Sequence, residues 1–494
     1  MSATERLRDQ PQHGAMMADL QQFATLPAWL EAVARPEQVC SVLAQAIPEF
    51  VSGALSLHGC TITRLRLRDP QSRWSGIYQL SVAEPDSDQR RVVPLQGTLI
   101  PPGQAEPEDK GSTVAFGTAR WQQYVPALRM VFQVPPPDTG LATLPELTNP
   151  QTARALLERS LRAGAPAYRD LRIQSCIPNV LRYHPGLRCT IGYHLKYAAD
   201  LAAGQDWPTF IIAKTYEDNR GQSTYTNMRA LWTSPFASGG GVAIAEPLAF
   251  LPELNVLVQG PVREEQTLRE LMRAALGTRT PEAMEQFEDT MGKTAVGLAA
   301  LHRSGVQAGA AFTWADELAE VRAELTRLII PIPQLANSGM TLLARLEALA
   351  AAHSPDLPVP THGAFHCAQV LLAHDQIGFI DFDEFCQAEP AMDLGRFIAT
   401  TKDVGLNISP NDARHATAPP PDLDRMIFLE QICDRFLAQY ERLNPVSRQR
   451  VALWEALHLF TLVLHCWVRV KPLRLNTILA VLERTLSRVA QTTV

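Results

Sequence analysis

Apolar positions between Leu26 and Phe50 recur at helical spacing, through Leu30, Val33, Val39, Val42, Leu43 and Ile47. That pattern predicts an amphipathic helix. Three runs of strand character follow, Cys60–Arg68, Ile77–Glu84 and Arg91–Ile100. Pro101, Pro102 and Gly103 break the pattern, and 101–112 reads as a polar loop. The order then recurs. Leu144-Pro145-Glu146-Leu147 repeats the character of Leu26-Pro27-Ala28-Trp29, Thr152–Leu161 is helical, and strand-like runs come at Ile177–Tyr183, Arg188–Tyr197 and Thr209–Tyr216. Aligning the passages sets Arg91–Gln96 against Thr209–Lys214, so Gln96 falls at Lys214. Two readings fit: an internal duplication of a helix-plus-hairpin unit, and the common sequence of a helix followed by a β-meander.

Beyond Lys214 the pattern turns helical over Ser223–Trp232, Ser238–Gly241 is a turn, and Val242–Ala249 and Asn255–Gln259 read as strands before a hinge at Gly260-Pro261. Helices dominate the rest. Thr280 caps one that opens at Pro281 and carries apolar Met284, Phe287, Met291, Leu298 and Leu301. Glu317–Leu328, Thr341–Ala352, Met426–Leu443 and Val451–Val468 are others, with a loop at Pro419–Pro421. The expected divisions are an α+β module over 1–140, a β-rich lobe over 141–260 and a helical lobe over 261–494. A cleft between lobes is a usual ligand site. The most apolar stretch, Leu453–Val470, includes Glu455, His458, His465 and Arg469, which suits a buried helix better than a membrane span.

Charge changes the picture in one respect. The 494 residues carry a formal charge of −6, which argues against a general nucleic-acid binder. The 8 cysteines contain no C-x-x-C pair and read as buried free thiols in a reducing cytoplasm rather than a zinc or disulfide framework. The polar start leads into no apolar signal core. Neither nucleic acid nor a membrane is expected as a partner.

The chemistry concentrates in Thr361-His362-Gly363-Ala364-Phe365-His366-Cys367-Ala368-Gln369-Val370-Leu371-Leu372, followed by Ile377–Asp383 and Glu389–Gly395. This reads as a loop, a short strand, a turn at His374–Gln376, and a second strand ending in acids. Asp381 and Asp383 would leave that strand on one face, by its period of two, and paired carboxylates suit Mg²⁺. On spacing alone, an Asp-rich strand exit reads first as a plain turn.

The stretch resembles the signature of the aminoglycoside and choline phosphotransferases, H-G-D-x-x-x-x-N, a hydrophobic strand, I-D-F/W and G-x-P-x-x-D-L. Ala300-Leu301-His302, Leu181–Arg188 and Ile212-Ala213-Lys214 are similar to further elements of that family. The resemblance runs from about Asp170 onward. It implies an α+β, bilobal, protein-kinase-like fold that uses ATP and Mg²⁺. It further implies that Lys214 contacts the nucleotide phosphates, Asp381 holds Mg²⁺, Asp393 braces the catalytic loop with support from His362, and adenine packs against Asn255–Val262, with Gln259 and Val262 as contacts.

The departures matter more. Ala364 stands at the family's catalytic aspartate, and a methyl group cannot accept a proton. Gln369 stands at the metal-binding asparagine, one methylene longer. Pro185-Gly186 gives only a tight turn where a glycine-rich loop is expected, and Ser223–Trp232 holds no glutamate for Lys214. The first expectation is therefore an ATP- and Mg²⁺-binding protein with impaired or absent phosphoryl transfer, a pseudokinase-like module serving an unknown acceptor or protein partner. The second is an active small-molecule kinase with Asp383 or His366 as replacement base. The third is another nucleotide-dependent transferase. Ser238–Gly241 lacks the Lys-Ser/Thr of a phosphate loop. His458 and His465 share a helical face and read as core or surface residues. Arg64, Arg66 and Arg68 alternate on a strand, usually a solvated face and less often an anion site.

Overall fold

The computed structural model describes residues 18–68, 72–85, 89–107, 114–135, 141, 143–184, 188–198, 204–239, 241–374, 376–407 and 422–492. Helix α1 (Pro36–Ala46) opens on a proline, which has no N–H to leave unpaired in the first turn. Its Val39 and Leu43, one turn apart, are buried. The strands β1 (Ser56–Arg68), β2 (Arg73–Ala83), β3 (Arg91–Leu99), β4 (Gln122–Val125) and β5 (Met130–Gln133) form an antiparallel sheet in the order β1-β2-β3-β5-β4.

A second unit follows. Helix α2 (Pro150–Gly164) starts at Asn149, whose side chain accepts from the N–H groups of Gln151 and Thr152. Then come β6 (Ile173–His184), β7 (Arg188–Tyr197), β8 (Phe210–Thr215), α3 (Arg220–Trp232), β9 (Val242–Ile244), β10 (Pro247–Leu251) and β11 (Val256–Gln259). With β9 diverted elsewhere, this sheet is ordered β6-β7-β8-β11-β10, matching the first strand for strand. Arg66, Ser75, Thr98 and Val131 form one cross-strand row in the first sheet. Arg182, Thr190, Lys214 and Leu257 form the same row in the second. Register shifts follow Leu57 and Thr63 in β1, and Ile173 and Val180 in β6. Buried Tyr78 donates to Val33 O at 2.9 Å, and buried Tyr193 donates to Leu147 O at 2.9 Å. Each acceptor lies three residues before the proline that opens the helix.

These rows correct the alignment by sequence: Thr98, not Gln96, stands where Lys214 stands. The slip is two residues, one full strand period, so it leaves the inward and outward alternation unchanged and the hydrophobic pattern cannot reveal it.

The remainder is the helical lobe: α4 (Leu268–Thr278), α5 (Pro281–His302), α6 (Trp314–Ile329), α7 (Ala336–Ala351), α8 (Pro390–Leu406), α9 (Leu423–Glu441), α10 (Arg448–Val468) and α11 (Pro472–Thr492). Small strands β12 (Gln266–Thr267), β13 (Val359–Thr361), β14 (Val370–Ala373), β15 (Gln376–Phe379) and β16 (Cys386–Ala388) sit among them. β9 joins the sheet β12-β14-β15-β9 by running parallel to β15. The fold is α+β and bilobal, as the protein-kinase-like expectation had it.

The second unit has its own core, including Leu157, Ile191 and Val258. The first unit shares a core with α6, α7, α10 and α11. Phe23 meets Phe460 edge-on at 5.4 Å between ring centroids, and Trp74 Nε1 donates to Trp467 O at 3.2 Å. α10 is the helix among the described residues long and apolar enough to cross a membrane, and 72% of its apolar window is buried inside the protein. That burial places it as a core helix.

Candidate active site

β8 alternates buried Ala213 and Thr215 with half-buried Lys214, which turns into the cleft. Lys214 Nζ donates to Asp381 Oδ1 at 2.6 Å and to Asp383 Oδ1 at 3.1 Å. Burial alone would lower the amine's pKa, but the charges of Asp383 and Asp381 outweigh it and hold the group above its ordinary value. Burial likewise opposes ionisation of Asp381, yet Lys214, with His362 and Arg188 behind it, holds that carboxyl well below the usual range. Tyr216 donates its hydroxyl to Asp383 Oδ1 at 3.1 Å. Burial first and the Asp383 charge second push that phenol far above its normal pKa. Arg188 Nη1 stands 3.7 Å from Asp383 Oδ2.

The two acids do not meet as a strand face. β15 ends at Phe379, Asp381 takes a left-handed conformation (φ 72°), and Asp383 lies in the 3₁₀ turn Phe382–Glu384. The turn, rather than strand periodicity, brings both carboxylates onto one ammonium.

The loop opposite is tied from α8. Asp393, fully buried in the first turn, accepts from His362 N at 2.7 Å and Gly363 N at 3.0 Å. His302 Nε2 lies 3.1 Å from its Oδ2, and His302 Nδ1 lies 2.7 Å from the Tyr440 hydroxyl. These donors, with His302 foremost, overcome the burial that would otherwise raise the Asp393 carboxyl, and lower it instead. His362 Nε2 donates to Ile380 O at 2.9 Å, joining the loop to the acidic turn. Gly363 has φ 83°, and a Cβ there would stand 1.8 Å from Glu384 O. Only glycine allows the loop this close to the turn.

Ala364 is half-buried beside this junction. Its two polar neighbours are engaged within the loop. Gln369 is buried, and its Oε1 accepts from His366 N at 3.0 Å, so the amide folds back onto its own loop. His366 Nδ1 accepts from Ala368 N at 3.2 Å, which puts the proton of the neutral ring on Nε2. Burial, then the charge of His362, lowers its pKa to about 4. At neutral pH the ring is therefore neutral, with Nε2 carrying its proton.

Gln259 is buried in β11 and pairs across to Ile212, two residues from Lys214. Val262 packs so closely on Gly378 that a Cβ there would approach its Cγ1 to 2.6 Å. The hinge thus lies against β15, with Lys214 and Gln259 in one sheet. The turn Pro185-Gly186-Leu187 lies outside the described residues. α3 offers Lys214 no carboxylate; Arg220 at its start pairs instead with Asp218 at 2.6 Å and Glu384 at 3.0 Å.

Sequence reasoning missed Arg188, Tyr216 and Arg396. Arg396 donates to Gly363 O, next to Ala364, and its other nitrogen reaches Glu317 Oε2 at 3.0 Å. Its signal was its place one helical turn after Asp393. Among the described residues, no group of three or more His, Cys, Asp or Glu is arranged to hold a metal. Asp381 and Asp383 nonetheless converge on one cationic position, which the Lys214 ammonium fills. Two carboxylates are the protein share that Mg²⁺ commonly takes, phosphate and water supplying the rest.

The profile of the phosphotransferase enzyme family (APH) matches residues 237–429. No curated protein sequence matches the chain. Among solved structures, a choline/ethanolamine kinase family protein from Mesorhizobium loti is 15% identical over 69% of this chain and 97% of its own, with a TM-score of 0.43. Choline kinase from Cryptosporidium parvum is 9% identical over 69% and 97%, with a TM-score of 0.45. An aminoglycoside phosphotransferase from Streptomyces rimosus, in complex with ADP and streptomycin, is 18% identical over 56% and 90%, with a TM-score of 0.34.

Proposed function

We propose that the cleft between Lys214 and the Gln259–Val262 hinge binds ATP with Mg²⁺, and that phosphoryl transfer there is slow or absent. The protein is then a nucleotide-binding module of phosphotransferase descent acting in the cytoplasm. The observation that carries this reading is the Lys214 ammonium held between Asp381 and Asp383, across from a loop whose residue 364 is alanine. The match of 237–429 to a phosphotransferase profile supports the nucleotide class. Lys214 would take the phosphates, and Asp381 with Asp383 would hold Mg²⁺, whose charge offsets that of the phosphates when it is bound. Gln259 and Val262 would flank the base. The shared strand order and register of the two sheets support the reading of the first as a degenerate copy of the second, with Thr98 unable to neutralise phosphate.

A second reading is an active kinase with Asp383 as base. It draws on the Asp383 carboxylate in the cleft, beside a His366 whose Nδ1 is engaged within its own loop. A general base contributes about 10²–10⁴ in rate, so the two readings differ measurably. The test is a thermal melt with ATP and Mg²⁺, paired with a turnover assay. Binding should raise the midpoint, Lys214→Ala and Asp381→Ala should each shrink the shift, and turnover should be slow and should rise in Ala364→Asp. Absence of any shift at millimolar nucleotide ends the proposal. Fast turnover abolished by Asp383→Ala, with binding intact, selects the second reading.

A further inference from the structure

The cleft face of the second sheet carries its side chains in cross-strand rows. Gln259, Ile212 and Gly192 form one row, and Leu257, Lys214 and Thr190 form the next, two residues along each strand. Residues two apart on a strand share a face. Cys189, Ile191, Ala213 and Val258, between these rows, fill the sheet's own core on the other side. Leu257 instead belongs with Val370 to the core of the helical lobe, so its row turns toward that lobe.

A third row continues the series. Running the β7–β8 register two residues past Thr190 and Lys214 brings Arg188, the first residue of β7, opposite Tyr216. Cys189 N donates to Thr215 Oγ1 at 2.7 Å, and Tyr216 N donates to Asn255 O at 3.2 Å, which holds the strands together at this level. Both members of the row reach one carboxylate. Tyr216 donates to Asp383 Oδ1 at 3.1 Å, and Arg188 Nη1 stands 3.7 Å from Asp383 Oδ2. Lys214, in the row before, reaches the same Oδ1 at 3.1 Å. Successive rows stand roughly 7 Å apart. With a base at Gln259 and phosphates at Lys214, the far end of the phosphate chain falls to the third row.

Tyr216 is buried there, with its hydroxyl bonded to Asp383. Arg188 is placed differently. Its side chain is 44% exposed, and its distance to Asp383 exceeds the hydrogen-bonding range of about 2.7–3.2 Å. An exposed pair of that length holds weakly, so the guanidinium can move onto a phosphate at little cost. Its N–H donors form a fork that bonds two phosphate oxygens at once. The hairpin before it has a single glycine, Gly186, where a glycine-rich loop would cover the phosphates. We propose that Arg188 takes the terminal phosphate and makes the cleft selective for nucleoside triphosphates over diphosphates. This rests on the reading of the cleft as a nucleotide site. Lys214 serves the phosphates common to both ligands, and Arg188 serves the one that only a triphosphate carries. A diphosphate leaves Arg188 on Asp383, as in the free protein.

The test is calorimetric titration of the full chain, in Mg²⁺, with ADP and with a non-hydrolysable ATP analogue, for wild type, Arg188→Gln, Arg188→Lys and Lys214→Ala. Wild type should bind the analogue about tenfold or more tighter than ADP, the value of one charge-assisted contact. Arg188→Gln should erase that preference while ADP affinity stays within about twofold of wild type. Arg188→Lys should keep part of the preference, because it retains the charge and loses the fork. Lys214→Ala should weaken both ligands and leave the preference in place. The proposal is overturned if wild type binds ADP as tightly as the analogue, or if Arg188→Gln keeps the full preference. It is also overturned if Arg188→Gln weakens both ligands alike, which would mark Arg188 as structural, or if the preference disappears in Lys214→Ala instead. In each of these cases wild type still binds nucleotide, so the reading of the cleft stands. Failure of wild type to bind either ligand overturns both.

Discussion

Replacing Lys214 by methionine keeps the side chain out to its ε carbon and removes the charged nitrogen. Asp381 and Asp383 would then share a cleft without the ammonium that both now contact, at 2.6 and 3.1 Å. Breaking a buried pair by removing one partner costs about 3–5 kcal/mol. The Asp381 side chain is 35% exposed, and solvent would take over part of the lost interaction, so about 1–3 kcal/mol is expected here. The sign with pH follows from Asp381, whose folded pKa is depressed. Its stabilisation is present above the unfolded value near 4 and disappears as pH falls through the folded one. Wild type and variant should therefore differ most at neutral pH, and the gap should begin to shrink only below about pH 4. Mg²⁺ alone should stabilise the variant more than wild type, because the metal no longer competes with an internal cation for the same two carboxylates. Chemical denaturation at pH 7 and at about pH 2.5, between the unfolded and folded pKa values, with Mg²⁺ added and omitted at pH 7, measures all of this. A variant within about 0.5 kcal/mol of wild type at pH 7, or an equal Mg²⁺ response in both proteins, would refute the reasoning.

Gly363→Ala should cost about 3 kcal/mol or more, since the left-handed backbone adds roughly 1–2 kcal/mol and the methyl must displace the Glu384 carbonyl; a denaturant midpoint close to wild type would mean the loop and the acidic turn are not locked together. Stability should fall as pH drops from about 6.5 toward 4, because His366 and His465 are both lowered to about 4 in the fold and the unfolded chain takes up protons first. Each adds a slope of up to about 1.4 kcal/mol per pH unit in that window. Denaturation at pH 7.5 and 5.5 checks this, His465→Asn should flatten the dependence, and a flat wild-type profile would contradict it.

The sequence was informative where chemistry is local. Lys214, Asp381, Asp383 and Asp393 were singled out because each sits in a short run whose order is distinctive, and the structure brings the first three within hydrogen-bonding distance. Arg188 and Tyr216 were missed because nothing near them in sequence refers to Asp383, more than 165 positions away. The intraloop bonds of His366 and Gln369 were invisible for a different reason: a list of residues does not show which lone pairs are already engaged. The hairpin of β4 and β5 escaped notice because each strand is 4 residues long, too short for an alternation to register. The docking of the first sheet on α10 was also invisible, since an apolar stretch reads alike whatever covers it.

That docking has a consequence for how the chain acquires its structure. Trp467 donates its indole N–H to the Phe23 carbonyl across 444 positions of sequence, and the first sheet's core is completed by α10 and α11. A ribosome would release the first sheet long before the helices that cover it. Until α10 and α11 have been made, Leu67, Trp74 and their neighbours remain without a lid, a situation that favours slow maturation and exposure to aggregation. Removing α10 and α11 would therefore uncover the first sheet, and that sheet, although made before them, would be among the last parts to become protected from hydrogen exchange.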